Sequence, residues 1–328
     1  MKRQEFSGGN APASVLERDA RQREALRVVT SISRATGKEL PVVSSETNSF
    51  GEAPGVYVLN PEIAARGPII STEFDFEEKM LSGAADSAHA VIAGRLSVVH
   101  ASGQKSTAEI AAKCYQKRDY EERLARAGRE VEVMQDMTRR GELGLEPVAV
   151  AVTPDYMGSS VVLFTQFNRD LYTLDNNPWG RGPTESNVTS AILAAQAVGR
   201  LNAMGYMHRD AKVKNVASVA GQGVGMIDFE TADPINPNDP QQAGLAAYTD
   251  LDLLMGSLSD RGLFTVRRDQ YFQDNSPQII EAVQQICQDG YLSAWDGASA
   301  EVQSSVYEMT THVAHDIAER SIGQPVSV

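Results

Sequence analysis

The sequence predicts an α+β chain in two parts: a small antiparallel sheet of five strands carrying one helix, then a larger and mainly helical part. Three observations predict it. Short apolar runs interrupted by Gly94 and Gly103 fill 88–115, the pattern of an antiparallel meander. A long amphipathic stripe follows at 118–140, and two more apolar runs come at 147–152 and 160–167. From residue 185 onward the apolar periodicity is largely helical, at i, i+4 and i+8. With 328 residues, 42% of them hydrophobic, the chain can bury a sizeable core.

The elements are expected in the following order. Residues 1–85 read as a partly flexible N-terminal extension: 7–14 is rich in Gly, Ser, Pro and Ala, 17–38 suits one amphipathic helix, and 56–59 is a short apolar strand. Residues 86–167 hold the sheet and its helix. Ala90–Ala93, Leu96–Val99 and 109–115 are the first three strands, with Gly94 and Gly103 in the turns. In the helix, Leu124, Ala127, Val131, Met134 and Met137 share one stripe. Residues 168–328 form the helical part. Its first helix, 185–204, carries Leu193, Ala197, Leu201 and Met204 on one face and stops at Gly205. Further helices are expected at 243–258, 278–291 and 300–321.

Charge and cysteine usage narrow the function classes. A net charge of −13 and a pI near 4.9 leave no basic patch to neutralise phosphates, which excludes a nucleic-acid binder. No apolar run reaches the length of a membrane-spanning helix, so no membrane span is expected. Cys114 and Cys287 stand far apart, outside any metal spacing, as free thiols in a reducing compartment do. A cytoplasmic protein is the expectation, although a polar leader of this kind also suits an effector exported into a host cytosol. His312 and His315 have no ligand partner at a recognised spacing and read as exposed helix residues.

The chemistry is concentrated in 206–233. His208, Arg209 and Asp210 are followed by Lys212 and Asn215, and a glycine-rich link leads to Ile227, Asp228 and Phe229. Apolar runs at 216–220 and 224–227 suit a hairpin that presents Asp210, Asn215 and Asp228 at one edge. Two carboxylates and an amide oxygen are the hard oxygen ligands that Mg²⁺ takes while sharing its shell with phosphates. A solvated charged loop is the competing reading. Earlier in the chain, Ala111 and Lys113 share one strand face. Glu130 falls on the buried stripe of the helix, where a carboxylate needs a partner, and Lys113 is the natural one. Against this stand a solvated strand lysine and a surface helix with ordinary charge pairs.

These residues resemble the signatures of the protein-kinase superfamily. His208-Arg209-Asp210, with Lys212 and Asn215, is similar to the catalytic loop H-R-D-x-x-x-x-N in its serine/threonine-directed form, and Asp228-Phe229-Glu230 is similar to the D-F-G turn. Ile110-Ala111-Ala112-Lys113 looks like the V-A-I-K strand. The resemblance implies a two-lobed kinase-like fold and transfer of the γ-phosphate of ATP to a hydroxyl, most simply a protein Ser or Thr. It implies roles as well. Asp210 would orient or deprotonate the acceptor hydroxyl and Lys212 would neutralise the moving phosphoryl group. Asn215 and Asp228 would hold Mg²⁺, while Lys113 with Glu130 would set the α- and β-phosphates. Ala111 would pack on the adenine, Thr165 would stand behind it, and the backbone of Gln166, Phe167 and Asn168 would bond the base. Asp250 would brace the catalytic loop.

Three departures from that pattern stand in the chain. No G-x-G-x-x-G is present, leaving Gly94 or Gly103 to cover phosphates. Glu230 replaces the glycine of the turn, and no A-P-E lies between Asp228 and Asp250, so Arg209 lacks room for a phosphorylated partner segment. This is more like atypical, lipopolysaccharide-type or small-molecule kinases. A small-molecule acceptor, a catalytically silent pseudokinase scaffold and an unrelated helical binding protein remain as alternatives.

Overall fold

The computed structural model describes residues 27–28, 42–44, 54–82, 89–115, 120–142, 145–155, 158–168, 170–176, 182–219, 223–264 and 276–323. The flexible tail expected at 7–14 and most of the helix expected at 17–38 lie outside the described residues. The chain divides into two units, one of residues 1–131 with 145–167 and one of 132–144 with 168–328. The class is α+β.

The first unit is built on a sheet of seven strands rather than five. They are β1 (Val42–Ser44), β2 (Gly55–Val58), β3 (Ile69–Ser82), β4 (His89–His100), β5 (Lys105–Tyr115), β6 (Pro147–Asp155) and β7 (Gly158–Gln166). Their order is β1-β2-β6-β7-β5-β4-β3, with β1 and β2 parallel and every other neighbour antiparallel. The two surplus strands, and β3 as well, come from what the sequence reading treated as an extension. β2 meets the short apolar strand expected at 56–59, whereas the three-residue β1 is too short to show a period against its polar flanks. A one-turn helix α1 (Pro61–Ala64) is capped by the Asn60 side chain, which accepts from Ile63 N–H at 3.0 Å.

Gly94 is not a turn. Ala90–Ala93 and Leu96–Val99 belong to the single strand β4, in which Gly94 pairs with Phe76 on one side and Ile110 on the other. Gly103 does turn the chain, at φ 82°. It lies beyond Lys105, however, and so stands about 26 Å along β5 from Lys113 at the rise of a strand. Lys113 instead faces Val91, which faces Ser82, near the end of the sheet where β3 gives way to β4. Neither glycine can cover a phosphate held by Lys113.

Alternation along the strands separates two faces. Ile92, Ile110, Ala112, Cys114, Val162 and Phe164 point into one buried cluster with Val56, Val58 and Phe74, where the Phe74 and Phe164 rings stack at 4.7 Å. Ala111, Lys113 and Tyr115 take the opposite face. The helix α2 (Tyr120–Arg140) follows β5 and buries Ala127, Glu130, Val131, Val133, Met134 and Met137, while Glu132 is exposed.

The second unit contains α3 (Glu185–Ala203), α4 (Pro240–Asp260), α5 (Ser276–Gln285) and α6 (Ala300–Gly323), with a π-helical turn at Ile286–Tyr291. Thr184 caps α3 by accepting from Asn187 N–H, and Gly205 ends it at φ 104°. The buried face of α3 differs from the expected one: Leu193 is 40% exposed, while Ala191, Ala194, Ala195, Ala197, Val198 and Leu201 are buried. Small residues here admit neighbouring backbone, a reason for burial that hydrophobic periodicity does not register. Between α3 and α4 lie β9 (Tyr206–Met207), β10 (Val216–Val219), β11 (Gly223–Met226) and β12 (Asp233–Pro234). The strands β10 and β11 form the expected hairpin, joined by β8 (Leu171–Thr173) into a three-stranded sheet, and β9 pairs with β12. No helix among the described residues is long and apolar enough to cross a membrane.

Cys114 and Cys287 are free and buried, one in each unit, and burial pushes both thiols up to about 12. Neither should react with a disulfide reagent at pH 8 until its own unit opens, so labelling under increasing urea reports the two units separately. In the unfolded chain the thiols ionise near the ordinary value of about 8.5. The folded state therefore holds more protons above that pH, and each unit is expected to lose about 1.4 kcal/mol per pH unit from there toward pH 12. A flat urea midpoint from pH 8 to 11, after comparison with Cys→Ala variants, would contradict this.

Candidate functional site

In the first unit the Lys113 Nζ stands 2.7 Å from Glu130 Oε2, with side-chain exposures of only 12% and 3%. The pairing follows from two periodicities. Strand alternation brings Lys113 to the face opposite the apolar cluster, and helical spacing brings Glu130 inward on the stripe of α2. A buried carboxylate is tolerated only when its lone pairs are taken, and the Tyr115 hydroxyl donates to the same Oε2. The ammonium also lies 5.2 Å from the centre of the Tyr115 ring. Ala111 shares this face and lies opposite Thr165, whose hydroxyl donates to Ala111 O at 3.5 Å.

Gln166 and Phe167, whose backbone with that of Asn168 was expected to bond the base, use their N–H groups within the sheet. Gln166 N–H donates to Glu146 O at 2.8 Å and Phe167 N–H to Glu109 O at 2.9 Å. Both are consumed where β7 leaves the sheet, and a base could engage them only by displacing sheet bonds. The local sequence gives no warning, because the acceptors lie 20 and 58 residues away in the chain.

In the second unit, Asp210, Lys212 and Asn215 are in direct contact. Asn215 Nδ2 donates to Asp210 O at 2.9 Å and to Asp210 Oδ2 at 3.0 Å. The Lys212 Nζ lies 2.5 Å from Asp210 Oδ1 and the Lys214 Nζ 3.7 Å from Oδ2. Asp228 is brought in through the backbone: Ile227 N–H donates to Asn215 O at 2.9 Å, continuing the β10–β11 ladder one step past Val216 and Met226. With both Asn215 amide protons turned on Asp210, its Oδ1 faces away from that carboxylate.

Two residues other than glycine have positive φ among the described residues, Arg209 at 64° and Asp228 at 68°. Each lies in one of the two motifs. Left-handed backbone at residues with a Cβ costs about 1 kcal/mol or more and persists where surrounding bonds impose it. At Arg209 the imposing group is Asp250, fully buried in α4. Its Oδ2 accepts from His208 N–H at 2.6 Å and from Asn202 Nδ2 at 2.8 Å, and its Oδ1 accepts from Arg209 N–H at 2.7 Å. Burial raises the Asp250 carboxyl above its ordinary value, opposed by these three donors.

The His208 ring then ties the two motifs together. Its Nε2 bonds Ile227 O at 3.0 Å and its Nδ1 accepts from Asp210 N–H at 3.3 Å, an arrangement that the neutral Nε2–H tautomer satisfies. The Phe229 ring packs at 5.5 Å from it. Beyond Asp228, the Thr231 hydroxyl donates to His208 O at 3.0 Å, the Asp233 carboxylate accepts from the Arg209 guanidinium at 2.5 Å, and Ile235 N–H donates to Gly205 O at 2.8 Å. Arg209 thus has an acidic partner inside its own segment.

No family model matches the chain, and no curated protein matches its sequence. Sequence reasoning missed Tyr115, Asn202, Asp233 and Tyr291. Tyr115 was within reach, since it shares the face of Lys113 two residues on. The others become partners only through contacts between elements remote in sequence.

Proposed function

We propose that the chain is an ATP-dependent phosphotransferase with a two-lobed, protein-kinase-like architecture, acting in the cytoplasm on a hydroxyl acceptor, most simply a protein Ser or Thr. The observation that carries this reading is the Asp210 assembly: a carboxylate held between the Lys212 ammonium and the Asn215 carboxamide, with the backbone of Ile227, next to Asp228, bonded to Asn215 O. The Lys113–Glu130 pair supports it independently. Two free buried thiols suit a reducing compartment.

On this reading an oxygen of the acceptor hydroxyl bonds the γ-phosphorus as the bond from that phosphorus to the bridging oxygen of ADP breaks. The hydroxyl proton passes to Asp210, and Lys212 exchanges its contact with Asp210 for the transferring oxygens. Lys113, fixed by Glu130 and Tyr115, holds the α- and β-phosphates. Asn215 Oδ1 and the Asp228 carboxylate are hard oxygen donors that fit Mg²⁺, with phosphate oxygens filling out its shell. When bound, the ion neutralises phosphate charge. The base would be met by Ala111 and Thr165, and not by the N–H groups of Gln166 and Phe167.

The test is ADP release by the full chain with ATP and Mg²⁺, alone and with a cell extract, with and without excess chelator. Release that needs the metal supports the proposal. Tight ATP binding with no release under any of these conditions would instead favour a silent scaffold, and no binding at all would remove nucleotide chemistry from consideration.

A further inference from the structure

We propose that Tyr291 is a positioning residue for the 208–210 loop, acting through Asn202 and Asp250; its catalytic meaning rests on the phosphotransferase reading above. The Tyr291 hydroxyl donates to Asn202 Oδ1 at 2.6 Å, and Asn202 Nδ2 donates onward to Asp250 Oδ2 and to Tyr206 O, both at 2.8 Å. Asp250 then receives the backbone N–H groups of His208 and Arg209. Tyr291, Asn202 and Asp250 are each 0% exposed, so no water competes for these bonds.

The direction of the relay is fixed. Turning the Asn202 amide over would aim its oxygen at Tyr206 O and Asp250 Oδ2, acceptor against acceptor. The carboxamide oxygen must therefore face Tyr291, and the phenol must donate to it. Bonds in such a chain polarise one another, which makes the acceptor strength of Asp250 toward the loop depend on the phenol two groups away.

The fold spends unusual geometry on placing that phenol. Tyr291 closes the π-helical turn Ile286–Tyr291 after α5, a form that occurs mostly as short departures at functional positions. The turn is pressed onto α3 through two glycines. A Cβ on Gly199 would stand 2.6 Å from Tyr291 O, and one on Gly290 would stand 2.8 Å from the Ala195 Cβ and 3.0 Å from Ile192 O. Backbone meets backbone at both points. Gly199 lies one turn before Asn202 on α3, so the contact that seats Tyr291 also seats the group that receives its proton.

Tyr291→Phe removes the donor and keeps the ring. Its backbone amide signals for His208 and Arg209 are expected to shift in the nuclear magnetic resonance spectrum, and turnover of ATP to fall about 10-fold with KM for ATP within about twofold, as misplacement of a reacting group without loss of binding does. A purely structural phenol would lower thermal stability and leave both readouts in place. Unmoved amides overturn the proposal, and so do moved amides with unchanged turnover in an active enzyme. If the wild-type chain turns over no ATP, the phosphotransferase reading fails and the amides alone decide whether Tyr291 sets the loop. Should Tyr291→Phe fail to fold, fluorotyrosine placed at position 291 retains the bond with a more acidic phenol. It must shift the same two amides, and failure to do so overturns the proposal equally.

Discussion

Asp210→Asn is expected to lower ATP turnover by about 10²–10⁴-fold, the range that loss of a positioned general base produces, and to leave affinity for ATP within a few-fold. The substitution is nearly isosteric. An asparagine at 210 keeps one oxygen for the Asn215 side chain, so the loop conserves its shape, but it carries no charge to attract a hydroxyl proton. Stability should change little. The Asp210 side chain is 28% exposed, and its lysine partners are 42% and 50% exposed, so solvent-screened pairs of this kind contribute about 0–1 kcal/mol. Measurement of turnover, nucleotide affinity and melting on the same preparation separates the three quantities. Equal rates in wild type and variant would remove Asp210 from the catalytic role, and a drop in rate matched by a collapse in melting temperature would assign it to structure.

Lys113→Met is expected to cost about 3–5 kcal/mol of first-unit stability, because it removes the ammonium 2.7 Å from a buried carboxylate. Glu130 Oε2 keeps the Tyr115 hydroxyl as a donor. The double variant Lys113→Met with Glu130→Gln removes the stranded charge and should recover much of the loss, since a neutral amide demands far less of its surroundings. Cys114, on the same strand and buried in the same unit, gives the readout through its rate of labelling under urea. A single variant no less stable than the double would show that Glu130 is solvated in a way inconsistent with its burial. Both variants should bind ATP more weakly if Lys113 meets phosphates, an effect on affinity where Asp210→Asn affects rate.

Much of the candidate site was legible because each part is local. The stripe of α2 placed Glu130 inward by its 3.6-residue period, and the two-residue period of β5 placed Ala111 and Lys113 together. The glycine-flanked runs on either side of Asn215 and Asp228 marked the β10–β11 hairpin. Where the reading failed, the deciding contact was distant. Gly94 looks like a turn residue until β3 and β5 are found to pair with it on both sides. Leu193 has the right periodicity to be buried on α3, but Ala191, Ala194, Ala195 and Ala197 take the inward face instead, and Gly290 of the π-helical turn packs against Ala195 and Ile192. The N–H groups of Gln166 and Phe167, where the resemblance places backbone contacts with the base, are taken by Glu146 and Glu109, 20 and 58 residues away.

The amino-acid order alone picked out the candidate groups: Asp210, Lys212, Asn215 and Asp228 in one segment, and Lys113 with Glu130 on a strand and the helix after it. Periodicity is a property of neighbouring residues, so a linear reading retrieves it. Tertiary structure decided what holds those groups beyond the Asp250 brace and the Lys113–Glu130 pair. Asp250 bonds His208 and Arg209 across 42 and 41 residues, Asn202 reaches Asp250 across 48 and Tyr291 reaches Asn202 across 89, and Asp233 reaches Arg209 across 24. Such partners are selected by the packing of whole elements, which minimises buried unsatisfied polar groups over the fold as a whole, and no short stretch of sequence contains that sum.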